Sequence, residues 1–517
     1  MDKHSAKIGK NVIESLTFGM YDDSRFVYRE YIQNSADAID KAVETKILGS
    51  RSDGNIHIDI DINNKIVTIE DNATGIKSSE IVRILKDIAD SDKDRTKDKG
   101  FRGIGRLGGL AYCDKLIFES SVKGEKVKNI MIWDASHLRS IINNRHEKED
   151  AGFVVDSITT FSQEKEDERE HYFKVILENV NNEELLDVND IREYLSMVAP
   201  VPYPRRFIFS KKIYDETKKL KYEIDEYTIY INNEQLFKAY KTVLYEGDND
   251  SLKKIDEVMD VETFSFYIGN ELLVWGWYSI STFQKQLPER ANLARGIRLR
   301  KGNIQIGSEY CLVKLHKEQR GNFYFLGEIH GVHKSLIPNA RRDYFLENEV
   351  MKLFEKNIKK YFHDELYKLY HFGSKVRSDK KKIESFHVLK EELKEKNKIG
   401  FTDKTEKKKL EEKFEKVKEI AENAEKNINK YKEELAKEKS PKKKILEKVT
   451  KDIDTNVSKI EIPNNNGNKK IKFIVDNLRR LRKDQRKIVQ RIFNVIDNVL
   501  TKELAENLKS KITEELK

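Results

Sequence analysis

The chain has 517 residues, 98 of them Lys or Arg and 89 Asp or Glu, for a net charge of +9 and only two cysteines. That length exceeds one ordinary core and predicts two to four domains. Cys113 and Cys311 stand far apart without metal-ligand spacing, which argues against a disulfide framework or zinc site and for free buried thiols. No apolar run is long enough to span a bilayer, and the charged start MDKHSAKIGK lacks the apolar core of a signal peptide, so a cytoplasmic location and no membrane partner are expected.

In chain order, YREYIQNSADAIDKA (28–42) reads as a helix, and NIHIDIDINNKIVTIED (55–71) alternates apolar and polar residues around Asn63 and Asn64, the pattern of a β-hairpin. DVNDIREYLSM predicts another helix, which the Pro200, Pro202 and Pro204 run must end. A junction near residue 200 therefore separates a first α/β domain (1–200) from a second (201–374), where YTIYINN and ETFSFYIGNELLVWGWYSI read as strands. Beyond it, Leu410, Phe414, Val417, Ala421, Ala424, Ile428, Tyr431 and Leu435 follow heptad spacing, predicting a coiled coil or helical hairpin over 375–460. Residues 461–517 resume an amphipathic pattern through Leu478, Leu481, Ile488, Ile492, Val495 and Val499, suited to a helical dimerisation module.

The chemistry concentrates near the start. Glu30, Asn34 and Asp37 fall at spacings of four and three and share one helical face. Alone, that stripe is a solvated surface. Two segments add weight: EDNATGI puts Asp71 at a strand end before a turn containing Gly75, and GFRGIGRLGGLAY carries Gly100, Gly103, Gly105, Gly108 and Gly109 into what reads as a helix start, where exposed amides suit a phosphate. No Walker-type GxxxxGK[ST] competes.

These three segments, in this order over residues 10–120, resemble the GHKL ATPase superfamily, which includes the ninety-kilodalton heat-shock chaperones, type II topoisomerases, MutL and the microrchidia ATPases. The resemblance implies an N-terminal Bergerat-fold ATP-binding α/β sandwich, a transducer-like middle α/β domain and an α-helical C-terminal region. It implies that Glu30 is the general base acting on water, that the Asn34 amide ligates Mg²⁺, that Asp37 lies beside the nucleotide, and that Asp71 accepts the adenine amine. FLGEIHGVHKSLIPNARRDYF is similar to the chaperones' middle-domain loop, which places Asn339 and Arg342 toward the γ-phosphate. Ala73 stands where the family usually has glycine, and His171 and Tyr172 where many members have threonine.

The implied function is an ATP-hydrolysing dimeric clamp of chaperone type, holding protein clients and closing a lid around residues 86–110. The alternative is a microrchidia-like DNA clamp, supported by the heptad seam and the basic runs KSPKKK and NLRRLRKDQRK. A component of a bacterial defence system, with a partner encoded nearby, is a third.

Overall fold

The computed structural model describes residues 8–17, 19, 23–88, 104–144, 149–247, 251–401, 404–458, 478 and 480–516. They form two compact units, Met1–Tyr367 and Lys368–Lys517. The molecule is an α/β protein whose N-terminal sheet-plus-helix domain precedes further sheets and long C-terminal helices.

The first sheet starts with the expected hairpin, β1 (Asn55–Asp61) antiparallel to β2 (Ile66–Asp71), with Ile60 opposite Val67. It continues through β3 (Lys115–Ser121), β4 (Val127–Asp134), β5 (Thr159–Lys165) and β6 (Tyr172–Glu178), and gains β7 (Thr228–Ile231) and β8 (Glu234–Gln235). The order is β5-β4-β3-β6-β2-β1-β7-β8, and β7 runs parallel to β1. YTIYINN is thus a strand of the first sheet, although it follows the proline run.

Helices α1 (Asn11–Thr17) and α2 (Phe26–Glu44) come before the hairpin, and α3 (Ile81–Lys86), α4 (Ala135–Asn143), α5 (Ala151–Ile158) and α6 (Val188–Val198) come after it. Alternation along β1 and β2 turns Ile56, Ile58, Ile60, Val67 and Ile69 inward, into one core with Tyr28, Tyr31, Ile32, Ala36 and Ile39 of α2. Asp187 caps α6 by accepting from the Asn189 and Asp190 amides, and the helix ends two residues before Pro200.

Helix α7 (Ser210–Lys219) precedes the small β9 (Val243–Glu246) and β10 (Lys253–Glu257) pair. A five-stranded sheet follows, in the order β11-β12-β15-β13-β14, from β11 (Asp260–Ile268), β12 (Glu271–Ile280), β13 (Gly296–Lys301), β14 (Ile304–Ile306) and β15 (Leu326–Gly331). Its strands hold a charged cluster with no exposure. Glu328 of β15 meets Arg300 Nε at 2.6 Å and Lys238 Nζ at 2.9 Å, and accepts from the Tyr203 and Tyr240 hydroxyls.

Burial pushes the Glu328 carboxyl up, but Arg300 and Lys238 outweigh it and hold the group well below the usual carboxylate range. Burial and the adjacent Arg300 lower Lys238 to about 8, against the pull of Glu328. Glu328→Gln keeps the shape and leaves two buried cations without their countercharge. It is expected to cost about 3–5 kcal/mol of stability, read from the urea midpoint.

Helix α8 (Glu349–Tyr361) closes the first unit, and α9 (Tyr367–Ile399) leads into the second. There α10 (Lys404–Leu435), α11 (Pro441–Thr450), α12 (Lys483–Val499) and α13 (Lys502–Glu515) follow. The heptad seam is the inward face of α10: Phe414, Ala421, Ala424, Ile428 and Leu435 are buried. Phe414 packs on Phe386 of α9 with ring centroids 5.4 Å apart, and Tyr431 on Phe372 at 5.2 Å. Of the two expected arrangements this is the helical hairpin, with the seam covered from within the chain. Helices α12 and α13 share a small core around Val489, Phe493, Ile496 and Ala505, while Ile488, Val495 and Val499 stay exposed.

Candidate nucleotide site

Helix α2 contains neither proline nor glycine, and its first turns are anchored. Arg25 forms a 3.0 Å ion pair with Asp190 of α6, and the Tyr28 hydroxyl donates to the Leu185 carbonyl at 2.6 Å. These contacts press the start of α2 against α6 and bury Glu30, which is 5% exposed. Asn34 and Asp37, further along the same face, remain partly exposed.

Arg342 arrives from the other end of the unit. Its guanidinium Nε lies 3.0 Å from Glu30 Oε1, with both side chains no more than 8% exposed. A buried carboxylate needs such a countercharge, because desolvation without one is costly. The arginine occupies a left-handed backbone conformation, φ +53°, unusual for a side-chain-bearing residue. Its loop imposes that conformation. The Arg342 N–H donates to the Asn339 carbonyl at 3.2 Å, its carbonyl accepts from Gly307 at 2.8 Å, and the Asn339 side chain bonds Asp343 in both directions. Arg341, next to it, is exposed. The contacts of Asn339 thus lie within its own loop, where it shapes the turn that presents Arg342.

Asp71 ends β2 in the inward phase set by Val67 and Ile69, and is 1% exposed. A carboxylate in a core position marks a site more than a packing choice. Its Oδ1 accepts from the Ala73 amide at 3.1 Å, closing the turn. Ala73 does not have a positive φ, so this backbone needs no glycine there. The His171 ring Nδ1 lies 2.8 Å from the Ala73 carbonyl, so the residue found in the threonine region of the family braces the same turn. Gly75 is different: its φ is +63°, and a Cβ would lie 2.0 Å from the Ser121 carbonyl oxygen.

Of the five glycines in the expected phosphate loop, Gly100 and Gly103 lie outside the described residues, as do 89–99 of the expected lid. Gly105, Gly108 and Gly109 fall in a short 3₁₀ helix, Gly105–Ala111, where the sequence predicts an α-helix start. A Cβ on Gly105 would stand 1.9 Å from Glu30 Oε2, so this glycine lets the loop backbone close over the acid. Gly109 makes room for the Tyr31 hydroxyl, which accepts from the Gly109 N–H at 3.2 Å and donates to the Arg106 carbonyl at 3.0 Å. A Cβ on Gly108 would come no closer than 3.7 Å to its nearest neighbour, Val27, so packing does not require a glycine there.

Sequence reasoning passed over three residues at this site. Tyr31 pins the glycine segment to α2, and Arg106 donates to the Asp87 carbonyl while burial pushes it down to about 10. Gln33 is fully buried one turn from Glu30, with neither amide atom hydrogen-bonded among the described residues. Among the described residues no group of three or more His, Cys, Asp or Glu could hold a metal by itself. The Asn34 amide, partly exposed on the helix face, could supply a protein oxygen to a Mg²⁺ held mainly by phosphates.

A helix face bearing an acid, an amide and a second acid, a core carboxylate at a strand end, and a glycine segment closing over Glu30 suit an ATP-binding module built on an α/β sandwich. Residues 22–164 match the family described as histidine kinase-, DNA gyrase B-, and HSP90-like ATPase. Similar proteins include the chaperone protein HtpG of Wigglesworthia glossinidia brevipalpis, 27% identical over 177 residues that make up 31% of this chain and 27% of that protein. The HtpG of Escherichia coli (strain K12) is likewise 27% identical over 177 residues, 31% of this chain and 28% of its own. The chain therefore spans less than a third of the length of these curated relatives. Among the described residues no helix is long and apolar enough to cross a membrane.

Proposed function

We propose that the protein binds ATP with Mg²⁺ and hydrolyses it to drive a dimeric clamp of heat-shock-chaperone type, acting on protein clients and paired through its C-terminal helices. The observation that carries the reading is the Arg342–Glu30 ion pair, which brings a cation from the loop after β15 onto the acid to which this reading gives the role of base. The exposed Ile488, Val495 and Val499 of α12 support pairing between copies.

In this mechanism Asp71 accepts the adenine amine, while Asn34 faces the phosphates and would hold the Mg²⁺ that neutralises them. Arg342 exchanges Glu30 for the terminal phosphate, stabilising the charge that develops on transfer. The exchange leaves Glu30 without its cation, and a carboxylate so released is a stronger base for orienting water and taking its proton.

Glu30→Gln tests this directly. The variant is expected to bind ATP as the parent chain does and to lose turnover, because the base contributes to the transition state and little to ground-state binding. Binding by calorimetry and phosphate release are measured together. Hydrolysis at the parent rate would sink the assignment.

A further inference from the structure

A cavity of about 630 Å³ lies beside the end strand β8 of the first sheet, and none of its lining residues belongs to α2. That volume is within the range of ordinary ligand pockets, roughly 300–1,000 Å³. Its rim is cationic. Arg205, Arg206 and Lys241 are exposed and lie within 4 Å of no carboxylate oxygen among the described residues, and Glu193 is the one acid lining the cavity. Its floor is aliphatic, made by Leu236, Leu244, Leu293 and Leu326.

The backbone along one wall has the form of an unfinished strand. Residues 236–240 alternate buried and half-buried. Leu236 donates its N–H to Ile229 at 2.8 Å and Lys238 to Pro202 at 3.0 Å, so these amides point inward. Phe237 and Ala239, between them, have no backbone hydrogen bond at N–H or C=O among the described residues. An edge of this kind is a template for another strand.

We infer that this cavity binds an extended acidic peptide, which pairs with the backbone of Phe237 and Ala239, sets its carboxylates against Arg205, Arg206 and Lys241, and places aliphatic side chains on the leucine floor. Unpaired amides and carbonyls at alternate residues call for a peptide backbone. The rim calls for negative charge, with the arginines able to take carboxylates in two-pronged fashion. Phe237 is the one aromatic ring in the lining, which gives nucleic-acid bases little to stack on. The inference does not rest on the ATP reading.

The test uses the full chain without nucleotide and a fluorescein-labelled peptide of alternating aspartate and leucine, followed by anisotropy over a salt series. Saturable binding that weakens with salt is expected, falling by about tenfold or more in Arg205→Glu/Arg206→Glu/Lys241→Glu protein with an unchanged melting curve. The same peptide N-methylated at alternate amides should lose binding to the unmutated chain, which keeps the test decisive if the triple variant does not fold. No binding, or equal binding of the N-methylated peptide, would overturn the inference. So would displacement by inorganic phosphate or duplex DNA at matched ionic strength, which would reassign the rim to a phosphate ligand.

Discussion

Arg342→Ala is expected to lower the rate of ATP hydrolysis by about a thousandfold, as the loss of a charge-stabilising arginine in phosphoryl transfer does. ADP, which lacks the terminal phosphate, should bind as before. The loop geometry makes the comparison with Arg341→Ala sharp. Arg341 is exposed while Arg342 is buried against Glu30, so the two side chains leave the same turn toward different surroundings. Removing Arg341 takes away equal charge and should change little. Because Arg342→Ala also strips Glu30 of its ion pair, melting curves must accompany the kinetics, and single-turnover rates at saturating ATP separate chemistry from binding. Equal losses in both variants, or none in Arg342→Ala, would place the loop outside the reaction.

The second large effect is at Asp71. Asp71→Asn should weaken ATP binding by about 3–4 kcal/mol, several hundredfold. The turn dictates why. The Ala73 N–H already claims one acceptor at this position, 3.1 Å away. An asparagine side chain satisfies that amide with its single oxygen and so directs its NH₂ group at the adenine amine. Two donors then face each other in a buried place. Calorimetric titration with ATP and ADP measures the loss, which should be alike for both nucleotides. Parent-like affinity would remove Asp71 from base recognition.

Local sequence carried much of this architecture. The hairpin could be seen because alternation and an Asn-Asn turn are short-range signals, and α6 because Asp187 and Pro200 mark its two ends. The heptad spacing of α10 marks a buried stripe, but spacing does not say which surface covers it, and Phe372 and Phe386 of α9 do. Membership of β7 in the first sheet was hidden, since parallel pairing joins strands with a long connection between them. Resemblance directs Asn339 toward phosphate, whereas its contacts fix the shape of the loop. The Glu328 cluster could not be anticipated either: charged residues are ordinarily surface residues, and only the fold reveals Tyr203, Lys238 and Arg300 converging on one carboxylate.

The parallel pairing of β1 with β7 bears on how such a protein can be inherited and rearranged. The side chain of Asn232 bonds both the N–H and the carbonyl of Ile60, at 2.8 and 3.3 Å, and the Tyr227 hydroxyl donates to Asp40 of α2 at 2.7 Å. Arg51 reaches across to Asp225 at 3.4 Å. A chain severed after residue 200 would lose all of these and bare the hydrogen-bonding edge of β1, an invitation to pair with a stranger. The segment that recognises nucleotide is therefore not a cassette bounded by the prolines. Recombination that shuffled this ATP-binding module onto a new partner would have to carry the chain at least through β8, and would still cut through the cationic cavity, whose floor extends to Leu293 and Leu326.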